Sequence, residues 1–406
     1  MENSIDMEIA KLIYLLETKY LSTGGDYRPV DFGEKASFFT LDVISELAFG
    51  QAFGYLDQDA DVYDYLAITK NFIPVMMVLG DIPYLATALQ SKYLKGLLPK
   101  ESDKLGFGAF IGVAKRLVAK RFGPDAKSHP DMLQSFVRHG LTQEEASGEA
   151  LLQVVAGSDT SAGCIRTVML SLLTNPISYR KLRAEIDNGI AAGKVSSPIK
   201  DSEGRQLPYL QAIIKEALRL MPPASGAFYK EVPPAGDMIN GMFIPGGTQI
   251  GSSPMAIHCS KKIFGADADH FRPERWLEAG PEKFAEMSNT VDLVFHYGKY
   301  QCLGKNVALM EFNKIFVEVS MSDMDLGHGN KYLPLAQLLR KFDFVIANPE
   351  RPTKLNNSVC GIQVTTSDVL LTPIAGYLAH GGLLAAMRIE AALAGYLRCH
   401  CRTARI

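Results

Sequence analysis

Apolar residues at Ile5, Ile9, Leu12, Ile13 and Leu16 recur at the spacing of one helix face, and Ser37 to Phe49 keeps that period until Gly50. The first part of the chain therefore reads as helical. Gly80-Asp-Ile-Pro83 punctuates it, and Phe110 to Phe122 is again amphipathic, with Lys and Arg on the polar face. Thr142-Gln-Glu-Glu145 has the form of a capping box, in which Thr142 accepts from the third amide while Glu145 reaches back to the cap amide. The helix it starts is predicted from about Gln143 toward Thr174, ending at Asn175-Pro176 because proline disfavours helical geometry in the residue before it. Most of its faces are apolar, so it should be buried. Another helix spans about Tyr209 to Leu220 and stops at Pro222-Pro223. The period then changes: apolar residues flanking Asn240-Gly241, then Ile244-Pro-Gly-Gly-Thr248 and Ile250, read as short strands with tight turns. Leu303 to Val317 returns to helix. With no internal repeat, no low-complexity linker and no composition break before about residue 370, the expectation is one domain, mainly α with a small β region.

Composition narrows the partners more than the fold. The 406 residues are 47% hydrophobic and 21% charged with a net charge of −2, the balance of a globular chain with a large core and not of a disordered one. There is no basic stripe for nucleic acid and no polybasic run for an anionic membrane. The cysteines Cys164, Cys259, Cys302, Cys360, Cys399 and Cys401 are scattered, unlike a secreted disulfide scaffold, which makes a reducing compartment the default. Acidic residues interrupt the apolar pattern of Met1 to Leu21, which matches neither a signal peptide nor a membrane span. Cys399-His400-Cys401 offers poor metal-ligand geometry, and no second pair completes it.

The chemistry concentrates in Phe295-His-Tyr-Gly-Lys-Tyr-Gln-Cys-Leu-Gly304, directly before a helix. Gly298 and Gly304 permit tight turns, amides at the helix start can donate to the Cys302 sulfur and lower its pKa, and Phe295 can shield it. By itself, a cysteine in an apolar stretch is more often an inert core residue. Three companions change that weighting. Glu216-Ala-Leu-Arg219 puts a carboxylate and a guanidinium on one helix face, an arrangement that a surface ion pair would explain equally well. Phe271-Arg-Pro-Glu-Arg-Trp276 supplies Arg275, whose planar fork suits a buried three-way network with that pair. Ala156-Gly-Ser-Asp-Thr160 sits in the long apolar helix, where Gly157-Ser158 can open the backbone ladder to admit oxygen.

In this order the four elements resemble the cytochrome P-450 family, over roughly residues 5 to 318 and 338 to 372. The Lys299-to-Lys305 loop and the opening Tyr20-to-Asp26 segment look like filamentous fungal enzymes related to pisatin demethylase. The resemblance implies a haem b whose iron is held by Cys302, with Phe295, Gly298, Tyr300 and Gly304 shaping the haem loop. It implies that Gly157, Asp159 and Thr160 handle oxygen and protons, while Glu216, Arg219 and Arg275 are a structural network and not bases. The implied activity inserts one oxygen atom from O2 into a small hydrophobic organic substrate, in fungal secondary-metabolite biosynthesis. Electrons would come from NADPH-cytochrome P-450 reductase, since the chain has no dinucleotide or flavin fingerprint. Two other readings are a haem-thiolate isomerase or dehydratase needing no reductase, against which Asp159-Thr160 argues, and a catalytically dead or misassembled fragment.

The chain also departs from the family pattern. Tyr300 stands where many members carry an arginine or histidine for a haem propionate, and His296 replaces a frequent glycine. The family's membrane anchor, first strands and early helices are missing, so the expected fold is an incomplete cytochrome P-450 domain over residues 1–372. The family is usually anchored to the endoplasmic reticulum facing the cytosol, and this chain carries no such anchor. Val319 to Gln337 is foreign to the pattern and reads as an insertion, a retained intron by hypothesis, and residues 373–406 read as an atypical tail.

Overall fold

The computed structural model describes residues 1–318, apart from 24, 71–74, 76–78, 80–81, 90, 95–97, 99, 102, 104–105, 124–125, 127 and 225–228, together with 342–346, 354–356, 364–366 and 368–373. The expected insertion at 319–337 and the tail beyond Pro373 lie outside the described residues.

Helix α1 (Glu2–Leu15) buries Ile5, Ile9, Leu12 and Ile13, as its period requires, and continues into a π-helical turn at Leu16–Tyr20. Helix α2 (Phe32–Phe49) starts earlier than its apolar period, because the Asp31 carboxylate accepts from the Glu34 amide and caps the first turn. Gly50 ends it in the left-handed region, φ 67°, with its amide donating to the Glu46 carbonyl. Helix α3 (Gly106–Ala119) follows. The capping box at Thr142 is present: the Glu145 amide donates to Thr142 Oγ1 at 3.3 Å and the Thr142 amide to Glu145 Oε2 at 2.8 Å. It opens α4 (Gln143–Thr174), which ends at Asn175 where α5 (Pro176–Ala191) begins on its proline. Helix α6 (Pro208–Leu220) stops before the proline pair, α7 is Pro281–Asp292, and α8 (Lys305–Ile315) carries the segment after Cys302.

The long helix α4 is the axis of the molecule. Helix α2 packs along it, and α3, α5, α6 and α8 also contact it, so that most buried apolar side chains form one core. The β structure is small. Strands β1 (Val30–Asp31), β6 (Phe342–Ile346) and β9 (Asp368–Pro373) form an antiparallel sheet with Val30 opposite Val369. Phe344 packs edge-on against Phe32, ring centres 5.8 Å apart, and so ties this sheet to α2. Strand β2 (Lys230–Glu231) pairs with β5 (Gln249–Ile250), β3 (Asp237–Ile239) with β4 (Met242–Ile244), and β7 (Lys354–Asn356) with β8 (Val364–Thr366). The β3–β4 turn has positive φ at both Asn240 (51°) and Gly241 (79°), the primed hairpin geometry that an Asn-Gly pair favours. The mainly α expectation with a small β region therefore holds. Among the described residues, no helix is long and apolar enough to cross a membrane.

Candidate functional site

The cysteine loop is closed by its own backbone. The Cys302 amide donates to the Phe295 carbonyl at 2.7 Å, and the Gln301 amide to the Gly298 carbonyl at 3.0 Å. Gly298 has φ +65°, so glycine relieves strain there. Gly304 differs from expectation. It sits in the right-handed helical region at the start of α8, φ −82°, and a Cβ added to it would lie 3.8 Å from the Cys302 sulfur. Its absence of a side chain leaves the approach to sulfur open instead of making a turn. The amide donors expected for sulfur are likewise engaged differently: the Lys305 amide points to the Cys302 carbonyl at 3.5 Å. Among the described residues no hydrogen bond ends on the Cys302 sulfur, and the residue is exposed. Phe295 is half-buried beside the loop, with the Lys305 ammonium 5.2 Å from its ring centre, and does not cover the cysteine.

The charged triad assembles as well. Glu216 and Arg219, on α6, are fully buried, which rules out the surface-pair reading. Glu216 Oε1 accepts from Arg219 Nη2 at 2.7 Å, from Arg275 Nε at 3.0 Å and from the Arg272 amide at 2.9 Å. Its Oε2 accepts from Arg219 Nε and from the Trp276 indole, both at 2.9 Å. Burial pushes this carboxyl up, but Arg219, Arg275 and the Arg272 amide outweigh burial and hold it below the usual carboxylate range. The remaining guanidinium protons reach carbonyls: Arg219 those of His258, Ala268 and His270, and Arg275 those of Phe264, Asp267 and His270. A planar fork satisfies so many acceptors at once, which a lysine could not. This knits α6 to the segment from His258 to Trp276.

On α4 the expected break does not occur. The helix is continuous through Gly157-Ser158-Asp159-Thr160, and the Thr160 hydroxyl donates to the Ala156 carbonyl at 2.8 Å, as a helical threonine does. Gly157 instead admits α2: a Cβ there would meet Ile44 Cγ1 at 2.9 Å. Asp159 is buried, and burial raises its carboxyl to about 6 even though Arg166 and the Tyr65 hydroxyl favour the ion.

Sequence reasoning did not single out three neighbours. Tyr65, at the start of the helical stretch 65–70, places its hydroxyl 2.8 Å from Ser158 Oγ. Glu311, on α8, is buried against Ser161 of α4, and burial lifts its carboxyl to about 8. Lys230, on β2, holds its ammonium 5.2 Å from the centre of the Tyr300 ring, bringing positive charge to the loop position that lacks an arginine. Of these, only Glu311 left a trace in the pattern, as an acid in the apolar stretch after Cys302.

The donor set suits a haem. Cys302 offers an accessible sulfur, Lys230 and Tyr300 offer a cation and a hydroxyl for acidic substituents, and exposed Leu293, Tyr297 and Leu303 offer apolar surface for a flat macrocycle to cover. No cluster of three or more His, Cys, Asp or Glu for a bare ion occurs among the described residues.

Comparison with known proteins agrees with this geometry. The family model described as Cytochrome P-450 matches residues 1–319. Cytochrome P-450 monooxygenase ABA1 of Pyricularia oryzae is 44% identical over 359 residues, covering 87% of this chain and 66% of the relative. Cytochrome P-450 monooxygenase aba1 of Botryotinia fuckeliana is 42% identical over 355 residues, with 87% and 66% covered. Cytochrome P-450 monooxygenase mpaDE of Penicillium brevicompactum is 31% identical over 326 residues, with 78% and 38% covered. The chain thus spans just under two thirds of the length of the first two relatives and 38% of the third. With a cysteine loop, a buried Glu-Arg-Arg network and a matching family model over most of its length, the chain belongs to the cytochrome P-450 family.

Proposed function

We propose that the chain is a haem-dependent monooxygenase. A haem held through the Cys302 thiolate supplies the redox chemistry by which one atom of O2 enters an organic substrate and the other leaves as water. The observation that carries the proposal is the Cys302 sulfur: exposed, free of hydrogen bonds among the described residues, and held in place by a backbone clasp to Phe295.

The other residues bind, orient or move protons. Lys230 and Tyr300 hold the acidic edge of the cofactor, replacing the single arginine common in the family. Asp159, with a carboxyl near 6, gains and loses a proton close to neutral pH, which is the requirement for general acid work. Thr160 holds water beside it. Glu216, Arg219 and Arg275 fix the framework under the loop. The electron donor is an NADPH-dependent flavoprotein reductase. The substrate is a small apolar organic molecule of fungal secondary metabolism, the class in keeping with fungal relatives named as monooxygenases.

The test is the optical spectrum of the haem-supplemented chain, reduced and exposed to carbon monoxide, beside Cys302→Ser. A strongly red-shifted Soret band present in the parent and lost in the variant supports a thiolate ligand, and turnover with a reductase then tests oxygen insertion. Absence of haem uptake, or a band indifferent to Cys302→Ser, overturns the proposal.

A further inference from the structure

His296 holds a backbone conformation, φ 59° and ψ −173°, that is nearly confined to glycine. The loop fixes it there: the His296 amide donates to the Leu293 carbonyl at 2.9 Å, and the carbonyl of its neighbour Phe295 accepts from the Cys302 amide. A glycine would take this conformation without strain, so the imidazole is carried at a cost in backbone energy. Such outliers cluster where side chains clamp ligands, which directs attention to what His296 faces.

It lines a cavity of about 390 Å³, a volume that suits a small organic group, with largely apolar walls that include Ile239, Ile250 and Ile257. Lys230 lines the same cavity and stands at its cysteine-loop end, with its ammonium 5.2 Å from the centre of the Tyr300 ring. Glu231 and Asp237 bring carboxylates from β2 and β3, yet among the described residues neither is ion-paired with Lys230. The second histidine of the cavity is already engaged: His258 has Nδ1 3.1 Å from the Arg219 carbonyl and Nε2 3.3 Å from that of Thr290. Partial burial and the Lys230 ammonium hold the His296 imidazole below its ordinary pKa, so at neutral pH it is an uncharged ring with one N–H to donate.

We propose that the loop end of this cavity is a carboxylate-binding subsite, in which the Lys230 ammonium supplies the charge and the His296 imidazole donates the hydrogen bond that fixes the carboxylate's orientation. One cation and one neutral donor match the single charge of a carboxylate better than the double charge of a phosphate. The carboxylate comes from one of two sources. It is either a side chain of the haem, in which case the subsite rests on the haem reading and extends the role given there to Lys230, or the acid group of a free organic molecule.

The experiment compares the full chain with two variants. His296→Gly removes the imidazole and suits the backbone it leaves, so it should fold at least as well as the parent. Lys230→Gln removes the charge from an exposed strand position. Each haem-free protein is titrated with iron protoporphyrin IX and with its dimethyl ester, which lacks the carboxylates, and binding is read from the Soret absorbance. If the haem supplies the carboxylate, the parent prefers the acid, and each variant loses roughly tenfold in affinity for the acid, the scale of a hydrogen bond to a charged group, while keeping its affinity for the ester. Phenylacetate and the uncharged phenylacetamide are then added to the haem-free proteins. If a free acid is the ligand, phenylacetate alone raises the thermal midpoint of the parent, and neither variant responds. No preference for the carboxylate form in either experiment, a preference unchanged in either variant, or an equal loss for acid and ester overturns the proposal. The carbon monoxide spectrum beside Cys302→Ser reports separately on the thiolate. A parent that takes up no haem therefore refutes the haem reading, and the phenylacetate result alone then decides the subsite.

Discussion

The Cys302 amide and the Phe295 carbonyl are 2.7 Å apart, so the first and eighth positions of the cysteine loop clasp each other across it. The clasp requires the chain to reverse at Gly298, whose φ is +65°. Gly298→Ala forces an L side chain into that region at a cost of about 1–2 kcal/mol, paid locally. The variant should stay folded but bind haem more weakly, measured as a lower affinity in a haem titration. Affinity equal to that of the parent would show that the reversal does not shape the site.

Glu216 is the acceptor that two buried arginines share. Glu216→Gln keeps its shape, leaves Arg219 without a counter-charge and leaves Arg275 only Asp267, 3.1 Å from its Nη1, which should cost about 3–5 kcal/mol in denaturant unfolding at neutral pH. The folded carboxyl lies below its unfolded value of 4.5, so its stabilisation is complete above that value and is lost as pH falls through the depressed one. The gap between parent and variant should therefore narrow on acidification. A gap that is constant with pH would mean that shape, not charge, sets the cost.

Glu311 should behave in the opposite sense. Its folded carboxyl titrates at about 8 against 4.5 unfolded, so between those values the folded state holds a proton that the unfolded state has lost, and stability falls as pH rises. Glu311→Gln removes that dependence. Relative to the parent it should gain stability from about pH 5 to about pH 8, with a slope no steeper than about 1.4 kcal/mol per pH unit. Glu8, also raised by burial, to about 7, is present in both proteins and drops out of the comparison. Parallel stability curves would place an ionised Glu311 in the fold.

At Gly157 two effects compete. Alanine improves helix propensity by about 1 kcal/mol, but its Cβ would sit 2.9 Å from Ile44 Cγ1 in a close-packed contact, and such overpacking costs about 1–3 kcal/mol. The clash should win, so Gly157→Ala should lower the thermal midpoint. In Ile44→Ala, which vacates the space, the same substitution should be neutral or stabilising. If Gly157→Ala destabilises both backgrounds alike, the glycine is needed for something other than the approach of α2.

Much of the architecture is legible in the chain because its causes are local. The capping box needs only Thr142 and Glu145, Asn240-Gly241 carries its own turn geometry, and Glu216 and Arg219 meet because three residues bring them to one helix face. The cysteine loop was recognisable for the same reason, as short spacings within one segment. Whether the Glu216 pair lay inside or at the surface was undetermined until Arg275, Trp276 and the carbonyls of His258, Ala268 and His270 converged on it. Gly157 was read as a weak point in its own helix, and it is a contact with another helix. Tyr65 against Ser158, Glu311 against Ser161, Lys230 over Tyr300 and Val30 opposite Val369 join residues distant in the chain. No local period encodes such meetings. They exist because burying the apolar faces of α2, α3, α6 and α8 around α4 fixes the helices relative to one another, and the polar groups carried inward must then find partners there or shift their protonation.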